Sequence, residues 1–289
     1  MSYVAMKQPY LLQIAYDDDP MNPRKDYDNF GHMVCWHRRY NLGDEHNFED
    51  TNELLKQLVM DSVDVDKLID YVKSGKADGV KLEYDRSAGG WEITSYDSQF
   101  KKWFSEAFFE GGFAENKQDI FESLVDALPN SHLHTLAAEK NIILPLYLYD
   151  HSGISMSVGS FIGRAQHAEW DSGQVGWIYA APEDIQKEFG NLSADSYQKA
   201  EALMKGEVNT YDLYLMGQCY GFRLFENGEE TESCWGFLGW FSDVAKQIAD
   251  EVLPESHRDM LEHLHEVSDT VTRAKDYEDF MEDLEEMEA

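Results

Sequence analysis

The amino-acid sequence predicts an α+β fold with mixed or antiparallel sheets, flanking helices and an acidic C-terminal helical arm. Apolar runs of strand length occur in both halves of the chain, and apolar residues at helical spacing lie between them. The 289 residues are 43% hydrophobic, which is enough to bury a core. We expect three regions: an α+β region over 1–140, a sheet-centred region over 141–238 and an acidic amphipathic helical arm over 239–289.

The first region begins with two predicted strands. Tyr10–Tyr16 is an apolar run that ends at the turn residues Asp17–Pro20, and His32–His37 is a second run. Between residues 49 and 74 the apolar residues recur every three or four positions, which predicts two helices. A short strand is predicted at Trp91–Thr94.

Large aromatic residues dominate the rest of this region. Together with one alanine they recur at three and four positions, which predicts a helix with an aromatic face. These residues are Phe100, Trp103, Phe104, Ala107 and Phe108. The spacing of Ile120, Leu124 and Leu128 predicts one more helix, which Pro129 closes.

The second region is centred on strands. Ile142–Tyr149 is nearly all apolar, which predicts a strand buried on both faces, and Gln174–Tyr179 predicts another. Ala181–Asp184 has proline and acids at the positions that favour a helix start. Two further runs flank a turn signal and predict a hairpin. They are Cys219–Phe225, the turn Glu226–Glu229 and Glu232–Phe237.

From Trp240 onward the pattern predicts two helices divided at Pro254. In the second helix apolar residues step by three or four from Met260 to Leu284, so one apolar stripe follows about seven turns. The other faces are acidic and form a candidate partner-binding surface. Its carboxylates are Asp276, Glu278, Asp279, Glu282, Asp283, Glu285 and Glu286. The stripe packs on its own domain in one interpretation and forms a dimer seam or docking arm in another.

Charge distinguishes this chain most clearly. It has 24 basic and 56 acidic residues, a formal net charge of -32. A large nucleic-acid-binding surface needs Lys and Arg at the phosphates, so we expect no direct contact with nucleic acid. The acids either solvate the surface or place carboxylates where a nucleic-acid-binding protein expects phosphates.

No segment indicates secretion or membrane insertion. Residues 1–10 lack a signal sequence, and no run approaches the roughly 18 apolar residues that span a bilayer. Cys35, Cys219 and Cys234 are odd in number and stand in unrelated contexts, so we expect reduced thiols. These features favour a cytoplasmic protein.

The sequence carries no recognisable catalytic or cofactor motif, which favours a binding protein over an enzyme and leaves the question open. The phosphate-binding, dinucleotide-binding and nucleophile-elbow glycine patterns are absent. Glu262 and His265 have the spacing of half a di-iron site, but the second half is missing. His263 and His265 point to different sides of a predicted helix, so we expect neither a metal nor another cofactor.

Two segments carry candidate ligand-binding residues. Arg38 and Arg39 belong to the basic cluster around the second predicted strand and could clamp a carboxylate or phosphate, whereas an internal ion-pair network is the alternative interpretation. The other segment places polar side chains at predicted strand ends beside glycines, where pockets form. Its residues are Asp150, His151, Asp171 and Ser172.

Four motifs combine rare residues in a fixed order. They are N-P-R followed by D-N-F-G-H-M-V-C-W-H-R-R-Y-N-L-G-D, then L-P-L-Y-L-Y-D-H-S-G, W-D-S-G-Q-V-G-W-I-Y and S-C-W-G-F. In these motifs the chain resembles an uncharacterised protein family of bacteriophages and other mobile elements. The resemblance covers about residues 10–45 and 142–238. It implies a protein of the bacterial host cytoplasm and brings no catalytic residue or cofactor.

Three hypotheses follow. The first is an anti-defence protein that binds and inhibits a host nucleic-acid-acting enzyme or defence complex by acidic DNA mimicry, with the C-terminal arm as the binding surface. The second is a small-ligand binder or hydrolytic enzyme that uses the Arg38/Arg39 and Asp150/His151 regions. The third is an assembly protein that forms homo-oligomers through the C-terminal helix.

Overall fold

The computed structural model describes residues 2–267. Within this range the strands are β1 Ser2–Lys7, β2 Tyr10–Tyr16, β3 His32–Cys35, β4 Val80–Asp85, β5 Gly90–Asp97, β6 Lys102–Glu110, β7 Ile142–Asp150, β8 Ile154–Ser157, β9 Ser172–Ala180, β10 Cys219–Glu226, β11 Glu229–Leu238 and β12 His265–Val267. The helices are α1 Pro23–Asp26, α2 Thr51–Ser62, α3 Val65–Lys73, α4 Lys117–Ala127, α5 Asn130–Ala137, α6 Ala168–Asp171, α7 Pro182–Phe189, α8 Ala194–Leu215 and α9 Phe241–Val252, and a 3-10 helix follows over Glu255–His263. The strands form sheets with the orders β11-β10-β2-β1-β12, β3-β9-β7-β8 and β4-β5-β6.

Antiparallel sheets with flanking helices confirm the predicted α+β class. Strands β2, β5, β7 and β9 and the β10-β11 hairpin lie where the sequence predicts them. Local chemistry explains the start of α2. Asp50 accepts the backbone N–H of Glu53 at 3.0 Å, and the Glu53 carboxylate accepts that of Glu49 at 2.6 Å. The first bond satisfies a donor that the first helical turn leaves without a partner, and the second ties the residue before the N-cap to the helix.

The described chain divides into two compact units. Unit one comprises residues 2–29, 146–174 and 205–267, and unit two comprises residues 30–145 and 175–204. In unit one each strand of the order β11-β10-β2-β1-β12 pairs antiparallel with its neighbour. The same unit contains the β7-β8 hairpin, in which Tyr147 pairs with Ser157 and Asp150 with Ile154.

Helix α9 covers one face of the five-stranded sheet. Its buried side chains recur at helical spacing and pack against apolar residues of β2 and β10. The helix contributes Val244, Ala245, Ile248 and Ala249, and the strands contribute Leu12, Ile14, Phe222 and Leu224. Ile248 is fully buried, and burial of such a side chain contributes about 1.5–3 kcal/mol. The opposite face of the sheet buries Leu11 and Phe225.

Unit two has a separate core between helices α2 to α5 and the three-stranded sheet. Leu54 and Leu58 of α2 and Ile120 of α4 pack there with Ile93 of β5. Strand β3 pairs antiparallel with the second half of β9, and Cys35 stands opposite Gly176. A side chain at Gly176 would place its Cβ 2.1 Å from the backbone oxygen of Val34, so only glycine permits this approach.

The predicted aromatic helix is wrong, because residues 102–110 form strand β6. This strand pairs antiparallel with β5, and Trp103 stands opposite Tyr96 while Phe108 stands opposite Glu92. A register shift between Ile93 and Thr94 inserts an extra residue into the ladder. Pairing with a neighbouring strand has therefore overridden a spacing that on its own indicates a helix.

The C-terminal arm is described only at its start. Helix α9 agrees with the first predicted helix, whereas Met260–Val267 differs from the second. This segment ends the 3-10 helix and forms β12, because the edge of β1 supplies hydrogen bonds to Val267 and its neighbours. Outside the described residues lie Asp276, Glu278, Asp279, Glu282, Asp283, Glu285 and Glu286. No helix within residues 2–267 is both long and apolar enough to cross a membrane.

Candidate functional site

The predicted ligand-binding residues are divided between the two units. Arg38 and Arg39 follow β3 in unit two and are exposed. His37 holds this turn, because its Nδ1 accepts the backbone N–H of Arg39 at 3.3 Å and that of Tyr40 at 3.2 Å. The imidazole also stacks on the Tyr40 ring at 5.0 Å. Both guanidinium groups are thus carried on an ordered turn.

Within unit one, two of the predicted residues meet. The Nδ1 atom of His151 lies 2.8 Å from Oδ2 of Asp171. His151 directly follows β7, in a turn where Ser152 has a left-handed φ of 61°. Asp171 ends α6 and its backbone N–H donates to the oxygen of His167 at 3.0 Å. A strand end and a short helix therefore bring together two side chains that are 20 positions apart.

Two rings lie beside His151, and a third stacks behind one of them. The Tyr149 ring stacks on the His151 imidazole at 5.8 Å and on the Phe161 ring at 5.5 Å. The hydroxyl of Tyr149 donates to the backbone oxygen of Gln166 at 2.9 Å, which fixes the ring. The His167 imidazole lies 5.9 Å from that of His151.

The two other predicted residues of this segment have structural contacts. The hydroxyl of Ser172 donates to the backbone oxygen of Ala168 at 2.6 Å. Asp150 pairs with Ile154 in the β7-β8 ladder. Next to Asp171, the Trp170 side chain is 86% exposed. The accessible groups at this place are therefore imidazole, carboxylate and indole.

The pair has the geometry of a histidine oriented by a carboxylate. When the imidazole is neutral and donates its Nδ1 proton to Asp171, Nε2 is left as an acceptor that can take a proton from a ligand. His151 is 44% and Asp171 32% exposed at the side chain, so a ligand can reach them. Within residues 2–267 no three His, Cys, Asp or Glu side chains are grouped as a metal site requires.

Sequence reasoning missed several residues near this site. Tyr149 belongs to the apolar run that predicts strand β7. It stands two residues before His151, and residues two apart in an extended chain point to the same face. His167 has a left-handed φ of 56°, for which the sequence has no signal. Elsewhere in unit one, Asp212 of α8 was also missed, and its Oδ1 accepts the backbone N–H of Met156 in β8 at 2.7 Å. Burial raises the pKa of Asp212 above the ordinary value.

A concave surface lies in unit two beside β4. This groove of about 410 Å³ is lined by α3, the following turn, β4 and Trp103. Its lysines rest on aromatic rings: Lys73 Nζ lies 4.3 Å from the Trp91 centroid and 4.2 Å from that of Phe113, and Lys81 Nζ lies 4.1 Å from that of Trp103. These contacts place two ammonium groups at aromatic faces rather than at carboxylates.

The β10-β11 hairpin of unit one carries a separate acidic group. Glu226 stands directly opposite Glu229, and Glu230 and Glu232 follow on β11. None of these four carboxylates has an ion pair or a side-chain hydrogen bond with another residue of the described chain. Like charges that face each other on neighbouring strands repel, so these carboxylates destabilise the hairpin.

The fold and these sites define an α+β protein with an exposed histidine–carboxylate pair and a strongly acidic surface. No family model, no curated protein and no solved structure matches the chain.

Proposed function

We propose that the protein is an anti-defence protein of a phage or mobile element, which binds and inhibits a host nucleic-acid-acting enzyme or defence complex. Its acidic surface presents carboxylates to a site that normally receives phosphates. A surface with a large charge of one sign attracts an oppositely charged partner over distance and speeds its association.

One observation carries this proposal: the described surface has far more carboxylates than its basic residues can neutralise. Residues 268–289 hold 9 of the 56 acidic residues and 2 of the 24 basic ones, which leaves 47 acidic and 22 basic residues in the described part. Many of the basic side chains are already in ion pairs. They include Lys7, Arg24, Lys56, Lys67, Lys117, Lys140, Lys199 and Arg258. The field outside the protein is therefore strongly negative.

Binding at low and high salt tests this function. The full-length protein is immobilised, and bacterial lysate is passed over it with or without excess duplex DNA. We expect retention of a nuclease, methyltransferase or defence component that salt and duplex DNA both release, since each competes for the same cationic site. Retention that is indifferent to salt and to duplex DNA contradicts the proposal.

A charge series identifies the contributing carboxylates. Replacement of the seven acidic residues between 276 and 286 by their amides removes the predicted binding surface of the arm without changing side-chain size. A matched variant replaces the four hairpin carboxylates by glutamine. We expect each variant to bind the captured partner more weakly and with a shallower salt dependence than the parent protein. An unchanged salt dependence in both variants excludes these surfaces.

A second candidate function rests on the 2.8 Å contact between His151 and Asp171. In it the pair binds a small ligand or serves as a general base in hydrolysis. His151→Asn and Asp171→Asn are then expected to abolish ligand binding or hydrolysis while the thermal unfolding temperature stays unchanged. His263→Asn, at another exposed position of unit one, is the control. Unchanged ligand binding and hydrolysis in both site variants exclude this second function.

A further inference from the structure

In the described part of the chain, the outer strand of the sheet in unit one has an unpaired edge. Strand β11 stands last in the order β11-β10-β2-β1-β12 and, within residues 2–267, pairs with β10 alone. All side chains from Glu229 to Trp235 are exposed. The outward backbone N–H and C=O groups of such a strand can accept an added strand, and main-chain hydrogen bonds then supply affinity.

Charge decides which occupant fits this edge. Glu229, Glu230 and Glu232 lie within four positions, and no lysine or arginine of the described chain pairs with them. A second copy of β11 carries the same three glutamates on a chain with the same net charge of -32, and two such surfaces repel. The edge therefore disfavours a second copy and favours a cationic segment.

Irregular pairing between β10 and β11 limits the docking edge to a short segment of β11. Register shifts fall between Tyr220 and Gly221 and between Leu224 and Phe225 of β10. Between these irregularities Glu232–Trp235 pairs in regular register. A partner strand in the same register needs only this run to form several backbone hydrogen bonds.

Side chains on the two faces of this run differ in character. Glu232 stands opposite Leu224, which packs under α9, whereas Trp235 stands opposite Gly221 on the other face. The absence of a side chain at Gly221 leaves room for the indole, since a Cβ there would lie 2.0 Å from Cε3 of Trp235. Trp235 remains 43% exposed, so one face of its ring is open to a lysine, an arginine or an apolar side chain.

We propose that Glu232–Trp235 of β11 is the docking edge for an extended segment of a partner protein that carries lysine or arginine at alternate positions. The segment adds to the sheet beside β11, its cations meet Glu232 and Glu229 on one face, and a side chain between them packs on Trp235 on the other. This inference rests on the proposed function, because it names the partner chemistry and the binding mode for part of the acidic surface. Alternate cations are required because neighbouring side chains of a strand point to opposite faces.

Two synthetic peptides and the full-length protein test this inference. The first peptide has eight residues of alternating lysine and valine. The second has the same sequence and charge, but every backbone nitrogen is methylated, so neither of its edges can donate strand hydrogen bonds. We expect the first peptide to bind about tenfold more tightly, since it alone gains main-chain bonds. We also expect it alone to slow amide hydrogen exchange in residues 229–236.

Variants locate the contact. Glu229→Gln together with Glu232→Gln should weaken binding of the first peptide severalfold, whereas Glu262→Gln, at an exposed position elsewhere in unit one, should leave it unchanged. Equal, salt-dependent binding of both peptides overturns edge docking and leaves the proposed function standing. Binding of neither peptide at low salt overturns both, because an acidic surface that attracts no cationic peptide cannot act by charge.

Discussion

Removal of the guanidinium at Arg24 should strongly destabilise unit one. The Arg24 side chain is 1% exposed, and its Nη1 donates to Oε2 of Glu207 at 3.1 Å and to Oδ1 of Asn29 at 2.9 Å. Glu207 is itself only 12% exposed. In Arg24→Met the apolar stem is kept, and the carboxylate is left in a poorly solvated place without its cation. Breaking a buried pair in this way costs about 3–5 kcal/mol.

This loss is a large share of the roughly 5–15 kcal/mol by which a domain is stable. Urea unfolding followed by circular dichroism measures it. The double variant Arg24→Met/Glu207→Leu should recover most of the loss, because no charge is then buried. Lys199→Met breaks the exposed pair with Asp195 and should have no measurable effect. If Arg24→Met is no more destabilising than Lys199→Met, the buried pair does not act as described.

Three further outcomes are expected. Burial and the nearby Asp17 raise the pKa of the Cys219 thiol to about 11, whereas Cys234 is exposed, so Cys234→Ser should remove the fast phase of thiol labelling at pH 8 and Cys219→Ser should not. Gly221→Ala forces the Trp235 ring away and should lower the free energy of unfolding by about 1–3 kcal/mol in urea titrations. Burial raises the pKa of Asp212, so its charged form opposes folding, and stability should fall less between pH 4 and pH 7 in Asp212→Asn than in the parent protein.

Strands of this fold were predictable where their pattern is local. The run at Tyr10–Tyr16 and the hairpin turn at Glu226–Glu229 each carry their own signal, and both are observed. The aromatic segment was not predictable, because residues 102–110 have helical spacing and become a strand only through pairing with β5. Likewise β12 depends on the edge of β1, to which it is joined across the whole described chain. Non-local partners of this kind leave no mark on the sequence around them.

The candidate site was predictable in its residue types and not in its geometry. Strand ends beside glycines pointed to His151 and Asp171, and the structure places them in contact. Ser172 stood in the same pattern, yet its hydroxyl is bound to the backbone of the preceding helix. His167 joins the group only because the chain turns at a left-handed residue. Which polar residues of a loop meet depends on such turns.

The interleaved order of the two units has a consequence for synthesis. The last residue of unit two is 204, so all residues of that unit are present once residue 204 has been synthesised. Unit one, by contrast, begins with the first strand and still lacks β10 at that moment, since this strand starts at Cys219. Strand β2 therefore has no β10 partner while more than half of the chain is made, and a chain shortened before Cys219 leaves that sheet edge open.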